Sequence, residues 1–268
     1  MIRLLISIFI VLSIWACGSK SKNTAHIDGV EFDSIVVDTT VMLTRDKNAP
    51  QGHIRLSVQY AKGENSNKLN QAILHTGVAL PDYIFTGNTT MDIPTATKFF
   101  AKRLVDEYIR DYQKLYLQDK NNPQSYQYNF FVNTKTRNGS KDILIYESSV
   151  ETYGGGPYGI QQIIVKNIDV KTGRVVELDS LFVPGYEKTL EELILSRIFE
   201  KFDAQNMEEL RKKHIFADGR VYVSDNFMIE KDQFTFIYCD SEIAPHEVGE
   251  IRIEIDKDEV KSILKENS

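Results

Sequence analysis

The chain has 268 residues, of which 42% are hydrophobic and 10% are aromatic, and its formal net charge at pH 7 is −6. This composition suffices for a buried core, and the length allows one large domain or two small ones. The acidic balance, without a cluster of lysine and arginine, argues against nucleic-acid binding, which requires a basic surface. It also provides no basic patch for an anionic membrane surface.

The amino-terminal segment is predicted to be an export signal. Arg3 is the only charged residue before an apolar run from Leu4 to Trp15. This run is shorter than the roughly 20 residues that a helix needs to span a bilayer, and a basic start before a short apolar core is typical of a signal peptide. Because only residues 1–3 precede the run, we expect no cytoplasmic segment that could carry a signal inward.

The end of this segment predicts a lipid anchor. Ile14-Trp15-Ala16-Cys17 resembles a bacterial lipobox, so residues 1–16 would be removed and Cys17 would be lipidated. Residues 17–28 would then tether the folded part to the membrane, since the polar stretch after Cys17 has no apolar pattern. We therefore expect a lipid-anchored protein of the bacterial cell envelope, on the outer membrane or the periplasmic side if the cell is Gram-negative.

Residues 29–125 are predicted to form an amino-terminal α+β subdomain. Asp28–Leu43 is extended, and Ile54–Tyr60 alternates between apolar and polar residues, as a half-buried strand does. A short helix is expected from Ser66 to near Gly77. The longest helix is expected from Pro94 to about Gln118, with proline in the first turn and one apolar stripe.

Residues 126–268 are predicted to form a second α+β domain. Residues 126–176 alternate as an antiparallel meander of three or four strands. Further elements are predicted as helices around 190–202 and 207–214, strands at 221–223, 227–229, 234–239 and 250–255, and a carboxy-terminal helix capped by Asp256 and Glu259. Because strands occur in runs without regular β-α-β alternation, the fold class is α+β. We expect antiparallel sheets, a long helix in the amino-terminal part and one or two helices in the carboxy-terminal part.

Two loops stand out as candidate ligand-binding segments. Tyr153-Gly154-Gly155-Gly156-Pro157-Tyr158-Gly159 lies between two predicted strands. Glycines let another surface approach the backbone closely, and exposed aromatic rings offer contact area at low entropic cost. The bland alternative is a hairpin loop that only reverses the chain. The second loop is Ser241–Gly249. The candidate ligand-binding residues are Tyr153, Gly155, Gly156, Pro157, Tyr158, Glu242, Pro245 and His246.

No catalytic constellation emerges, so we expect a binding protein more than an enzyme, with no cofactor. Glu147 and Glu151 lie on one face of a predicted strand, but further apart than a retaining glycosidase pair requires. Glu242, His246 and Glu247 are polar and close in sequence, yet no cysteine or second histidine completes a metal site. We therefore predict no metal centre.

Several stretches, taken in order, resemble the extracellular domain of the anti-sigma-V factor. Residues 153–159 stand where that family has Tyr-Thr-Gly-Gly-Ala-His-Gly, and residues 241–249 where it has Tyr-Glu-Ile-Ala-Pro-Tyr-Ala-x-Gly. Tyr158 thus takes the place of the family's histidine, and His246 that of its second tyrosine. Further matches to its Asn-x-Asp, Thr-Gly-Lys and Asp-Leu-Phe segments are Asn167-Ile168-Asp169, Thr172-Gly173-Arg174 and Leu178–Phe182.

This resemblance implies an extracytoplasmic α+β binding module, which in the anti-sigma-V factor senses lysozyme. The upstream part resembles a companion domain of unknown function, and a similar pair precedes the catalytic domain of some peptidoglycan deacetylases. The expected partner is a lysozyme-like protein or peptidoglycan. Two rivals stay open: a hydrolase acting on peptidoglycan or another glycan through Glu147, Glu151, Glu242 and His246, and a purely structural envelope protein.

Overall fold

The computed structural model describes residues 24–63, 66–77, 80, 91–217 and 219–266. The predicted signal peptide, the lipidation site Cys17 and the tether up to residue 23 lie outside the described residues. Among the helices of the described part, none combines the length and the apolar character required to cross a membrane.

The described residues form nine strands and five α-helices, which confirms the α+β class. The strands are β1 (Glu31–Met42), β2 (Gln51–Lys62), β3 (Tyr128–Asn138), β4 (Ile143–Tyr153), β5 (Ile160–Asp169), β6 (Arg174–Val175), β7 (Phe227–Ile229), β8 (Gln233–Tyr238) and β9 (Ile251–Asp256). The helices are α1 (Ser66–His75), α2 (Ile93–Gln118), α3 (Leu178–Leu181), α4 (Glu187–Lys201) and α5 (Met207–Lys212). Two short 3₁₀ turns span Pro123–Tyr126 and His246–Val248.

The strands are arranged in two sheets. One holds six strands in the order β1 to β6, and the other holds β7, β8 and β9. Every pair is antiparallel except β2 and β3, which run parallel, so the prediction of antiparallel sheets needs this one correction. A parallel connection requires a crossover, and the chain makes it through α1 and α2. The predicted domain boundary at residue 125 therefore falls between two neighbouring strands of one sheet.

Strand alternation separates the core into layers. In β4, Tyr146 faces α1 and α2, whereas Ile145 faces the small sheet and packs with Met228 and Ile237. In β8, Phe236 points the other way, into the cluster that α4 covers. The order of layers is therefore helices, large sheet, small sheet and α4, with side chains of successive residues on opposite faces.

Helix α2 begins as the sequence predicts. The side chain of Asp92 caps it by accepting a hydrogen bond from the backbone N–H of Thr95 at 2.7 Å, and Pro94 occupies the first turn, where its missing N–H costs nothing. The first part of the predicted apolar stripe, from Phe100 to Tyr108, is buried, whereas its last member Leu115 is 51% exposed. This helix anchors the amino-terminal side of the large sheet.

Two asparagine side chains join the sheets where no backbone ladder does. Asn167 of β5 is buried, and its amide both donates to and accepts from the backbone of β7, at 2.9 and 3.0 Å. Asn226, just before β7, accepts from the N–H of Val165 at 2.7 Å and donates to the carbonyl of Ile163 at 2.6 Å. These bonds satisfy part of the β5 edge and hold the small sheet against it.

Residues 221–223 are not a strand, so that prediction is wrong. The carbonyl of Tyr222 accepts from the hydroxyl of Tyr238 at 2.6 Å, and its ring packs edge-on against Phe216 and Tyr238. Side-chain contacts thus take the role that ladder hydrogen bonds would have in a strand.

The predicted carboxy-terminal helix is also wrong, because residues 257–263 form turns. Half of the expected capping box exists: the backbone N–H of Asp256 donates to the carboxylate of Glu259 at 3.1 Å. Helix growth is stopped further on, where Leu264 forms a β-bridge with Phe182. A β-bridge needs extended backbone, so the residue that forms it cannot also continue a helix.

Candidate functional site

The two loops that the sequence singled out meet in space. Tyr153–Gly159 connects β4 to β5, and Ser241–Gly249 connects β8 to β9. The ring of Tyr158 stacks on the imidazole of His246, with centroids 4.4 Å apart and planes 12° from parallel. The thiol of Cys239, at the end of β8, also donates to the carbonyl of Ile163 in β5 at 3.3 Å. The packing of the small sheet on β5 therefore brings both loops to one place.

The first half of the glycine-rich loop is structural. Gly155 has φ +78°, and a Cβ there would lie only 2.5 Å from the carbonyl oxygen of Ser125 and 2.7 Å from its Cα. Only glycine allows that approach in this backbone region. Beside it, the hydroxyl of Tyr153 accepts a hydrogen bond from the side chain of Gln124 at 3.0 Å. Tyr153 and Gly155 therefore fasten the loop to the 3₁₀ turn before β3.

The second half of the same loop is exposed. Gly156 and Pro157 face solvent, and Tyr158 keeps 58% of its surface accessible although it stacks on His246. Ile160, the first residue of β5, is 54% exposed. Two alternatives were predicted for this loop, a connecting hairpin and a recognition loop. The first describes its first half and the second is compatible with its exposed second half.

The Ser241–Gly249 loop is held by polar side chains. The carboxylate of Glu242 accepts from the hydroxyl of Tyr222 at 2.5 Å and from the backbone N–H of Cys239 at 2.6 Å. Burial, and then the hydrogen bond to Glu242, raise the pKa of the Tyr222 phenol above its ordinary value, so it stays a donor. Ser241 adopts a left-handed φ of 63° in the same turn.

His246 is oriented by a residue that sequence reasoning missed. The Oδ2 atom of Asp240 lies 2.7 Å from Nδ1 of His246, and the Asp240 side chain is only 9% exposed. Because a carboxylate only accepts, Nδ1 carries the proton in this contact. The second carboxylate oxygen accepts from the hydroxyl of Ser241 at 3.0 Å. Asp240 thus holds the Nδ1 edge of the imidazole, and Tyr158 covers one face of the ring.

One sequence signal could have revealed the contact between Tyr158 and His246. In the resemblance described above, histidine and tyrosine stand at the positions of Tyr158 and His246, so this chain exchanges the two residue types. Read separately, each is a departure from the pattern. Read together, they keep one imidazole and one phenol at positions that the structure places in contact.

We call Tyr158, Ile160, His246 and Val248 the two-loop surface. Val248, next to His246 in the same 3₁₀ turn, is 41% exposed. Ile160 follows Tyr158 by two residues and Val248 follows His246 by two, so exposed apolar side chains flank the stacked pair in sequence on both loops. Exposed apolar groups near one another are typical of interaction sites. The charged residues within the stretches 147–165 and 239–251 are all acidic, namely Glu147, Glu151, Asp240, Glu242, Glu247 and Glu250. Two of these form ion pairs with residues outside the stretches, Glu147 with Arg137 and Glu250 with Arg252.

The residues of the hydrolase hypothesis are not assembled into one site. Glu147 forms an ion pair with Arg137, and Glu151 is an exposed residue of β4. Within residues 24–63, 66–77, 80, 91–217 and 219–266, neither glutamate makes a hydrogen bond or ion pair with Glu242 or His246. The same part of the chain contains no group of three or more His, Cys, Asp or Glu side chains suited to hold a metal ion.

Residues 179–258 match the family model "Protein of unknown function (DUF3298)". We refer to this stretch as the DUF3298 region. It runs from α3 to just beyond β9, so it includes the Ser241–Gly249 loop, whereas the glycine-rich loop precedes it. No curated protein matches the sequence significantly.

Two solved structures described as DUF3298 family proteins share the fold. One, from Bacteroides fragilis NCTC 9343, superposes with a TM-score of 0.80 at 24% identity, covering 92% of this chain and 96% of that one. Another, from Pseudomonas aeruginosa PAO1, gives a TM-score of 0.56 at 14% identity, covering 90% and 96%. Both likenesses extend far beyond the DUF3298 region, so the large sheet and its helices belong to the shared fold as well.

Proposed function

We propose that this chain is an envelope-anchored lipoprotein whose extracytoplasmic domain binds a protein or cell-wall ligand through the two-loop surface. The observation that carries the proposal is the stacking of Tyr158 on His246. It joins two loops from separate sheets into one exposed surface. Asp240 pairs with His246, but within the described residues no hydrogen bond joins this imidazole to a serine, threonine or cysteine side chain, so we propose binding without turnover.

The geometry supports binding because the surface is held in place before a ligand arrives. His246 is oriented by Asp240, and the glycine-rich loop is fastened at Gly155 and Tyr153. Aromatic side chains on a rigid support lose little entropy on binding, which favours affinity. The scaffold below consists of paired strands, which positions the side chains better than a free loop would.

The charge pattern favours a basic protein as the partner. The Ser241–Gly249 loop carries the exposed acidic residues Glu242 and Glu247 without lysine or arginine, and complementary charge accelerates association and excludes like-charged partners. A lysozyme-like protein, which the family resemblance implies, has this character. Peptidoglycan fragments are the second class to test, since sugar rings stack on exposed aromatic side chains such as Tyr158.

The first test is a calorimetric titration of the fragment Ser19–Ser268, which contains every helix and strand of the structure, with lysozyme and separately with peptidoglycan fragments. We expect binding that weakens at least tenfold in Tyr158→Ala, because the ring is an exposed anchor of the surface. Phe99→Ala, which removes a comparably exposed ring from α2, serves as the matched control. Tyr153→Ala should have the smaller effect of loosening the loop.

Binding to lysozyme should also weaken as salt rises from low to physiological concentration, because exposed charges are screened. Affinity that is equal in wild type and Tyr158→Ala would refute the two-loop surface as the binding site. If neither ligand binds, both partner classes are excluded, and the ligand of the two-loop surface must be sought among other envelope components.

The proposed anchor has a test of its own, since it depends on residues 1–23 alone. Cells expressing the full chain with Cys17→Ser should lose incorporation of labelled palmitate, and the protein should leave the membrane fraction. Ser19→Ala is the control, because it changes a neighbouring tether residue and keeps the cysteine. Retention of the label in Cys17→Ser would contradict lipidation at this residue.

A further inference from the structure

A separate cavity opens beside the beginning of the Ser241–Gly249 loop. Its volume is about 400 Å³, which lies within the range of small-molecule sites. It lies within the DUF3298 region, between residues 214–217 and 219–222 on one side and residues 241–244 on the other. The hydrogen bond from the N–H of Phe216 to the carbonyl of Ile243, at 2.7 Å, joins these stretches.

One wall of the cavity carries an available guanidinium group. Arg220 lines the cavity and is exposed. In the part of the chain that the structure describes, its side chain forms neither a hydrogen bond nor an ion pair. An arginine presents several N–H donors in a rigid planar fork, which fits a carboxylate through two hydrogen bonds.

The opposite charge is present in the same cavity and is fixed in position. The carboxylate of Glu242 is held by the hydroxyl of Tyr222 and the backbone N–H of Cys239. Each carboxylate oxygen can accept more than one hydrogen bond, so capacity for a cation is left. Glu242 and Arg220 line one cavity without pairing with each other, since no ion pair within 4.0 Å joins them.

The rest of the lining suits a small apolar group. Phe216, Ile243 and Ala244 are buried residues that border the cavity. Phe216 has a left-handed φ of 50°, which is unusual for a bulky residue, and this conformation is maintained while its ring packs against Tyr222 and Tyr238. The floor of the cavity is therefore built from packed side chains and not from a loose loop.

From this combination we infer that the cavity between Arg220 and Glu242 binds a small zwitterion, namely a free amino acid or a short peptide with free ends. Arg220 takes the carboxylate, Glu242 takes the ammonium group, and an apolar side chain lies against Phe216 and Ile243. A ligand that carries only one charge would leave the other charged group of the cavity unmatched and would bind more weakly. This inference goes beyond the two-loop surface, because it uses neither Tyr158 nor His246.

The test is a titration of the full chain, solubilised in a non-ionic detergent, with a panel of free amino acids and Ala-X dipeptides. The tightest binder is then compared with its carboxy-terminal amide and its N-acetyl derivative. Each loss of charge should weaken binding about tenfold or more, as expected for a charge-assisted hydrogen bond. Testing the ammonium contact on the ligand avoids changing Glu242, whose loss would also free Tyr222 and Cys239.

On the protein side, Arg220→Gln should weaken binding of the same ligand at least tenfold, and Arg220→Lys should recover part of it. Arg45→Gln removes another exposed arginine and should leave the affinity unchanged. Tyr158→Ala should also leave it unchanged, which separates this inference from the proposed function. The inference is overturned if no panel member binds below 10 mM, if the amide binds as well as the acid, or if Arg220→Gln has no effect.

Discussion

The two loops that form the two-loop surface reach their conformations by opposite means. The Tyr153–Gly159 loop depends on a missing side chain, since the backbone of Ser125 occupies the space that a Cβ on Gly155 would need. The Ser241–Gly249 loop depends on side chains that are present, because Glu242 and Asp240 accept hydrogen bonds that hold the turn and His246. The first loop should therefore respond to added atoms and the second to removed acceptors.

The largest expected effect is steric. Gly155→Ala should lower the free energy of unfolding by about 2–4 kcal/mol, because it combines overpacking against Ser125 with a left-handed φ. Chemical denaturation measures it. Gly156→Ala is the matched control in the same loop, where a Cβ would meet nothing closer than 3.9 Å. Equal stability of the two variants would show that the close approach to Ser125 does not constrain the loop.

The next effect is the loss of an acceptor. Glu242→Ala should lower the free energy of unfolding by about 1–2 kcal/mol, because the Tyr222 hydroxyl and the Cys239 N–H lose a charged partner. Glu247→Ala removes an exposed glutamate from the same loop and should be neutral. If both variants unfold at the same denaturant concentration, side-chain hydrogen bonds do not hold this loop and the contrast between the loops fails.

A smaller effect is expected where the loops meet. A double-mutant cycle of Tyr158→Ala and His246→Ala should give a coupling free energy of about 0.5–1 kcal/mol, the usual value for a stacked ring pair. A second cycle with Tyr158→Ala and Phe99→Ala should be additive, because within the described residues no contact joins these two rings. A coupling of zero in the first cycle would mean that the two loops are energetically independent.

The smallest effect concerns pH. Because the folded-state pKa of Tyr222 is raised above its unfolded value of 10.0, its contribution to stability is complete below pH 10 and is lost as pH rises further. Tyr222→Phe should therefore be less stable at neutral pH, having lost the bond to Glu242, but should lose stability less steeply between pH 9 and 11. Urea denaturation across this range would reveal it. An identical alkaline slope in both proteins would contradict the role of Tyr222.

Much of the fold could be read from local patterns. The alternation in β3, β4 and β5 predicted the meander, and the apolar stripe from Phe100 to Tyr108 predicted α2, because burial of one face imposes a period on the sequence. The failures lie where the pattern was short. The segment at 221–223 and the carboxy-terminal residues were assigned from a few apolar positions, and long-range partners such as Tyr238 and Phe182 decided their conformations.

The candidate site, too, was predicted only where its residues have a local signature in the sequence. The unusual composition of residues 153–159 marked that loop, since glycine and exposed aromatic residues have local signatures. Asp240 and Arg220 carried no such signal. A lone acid or base acquires meaning only from what lies beside it. The turn between β8 and β9 brings His246 to Asp240, and the cavity places Arg220 near residues 241–244 of a separate stretch.

By itself, the sequence determined the periodic elements, the α+β class and the loops in which glycine or aromatic residues are concentrated, because these follow from contacts between residues close in the chain. Tertiary structure alone decided that β2 and β3 run parallel, that Asn167 and Asn226 join the sheets, and that Tyr158 meets His246. The parallel pair depends on the crossover through α1 and α2, and the other contacts depend on the packing of one sheet on the other. Both bring together residues that no local pattern connects.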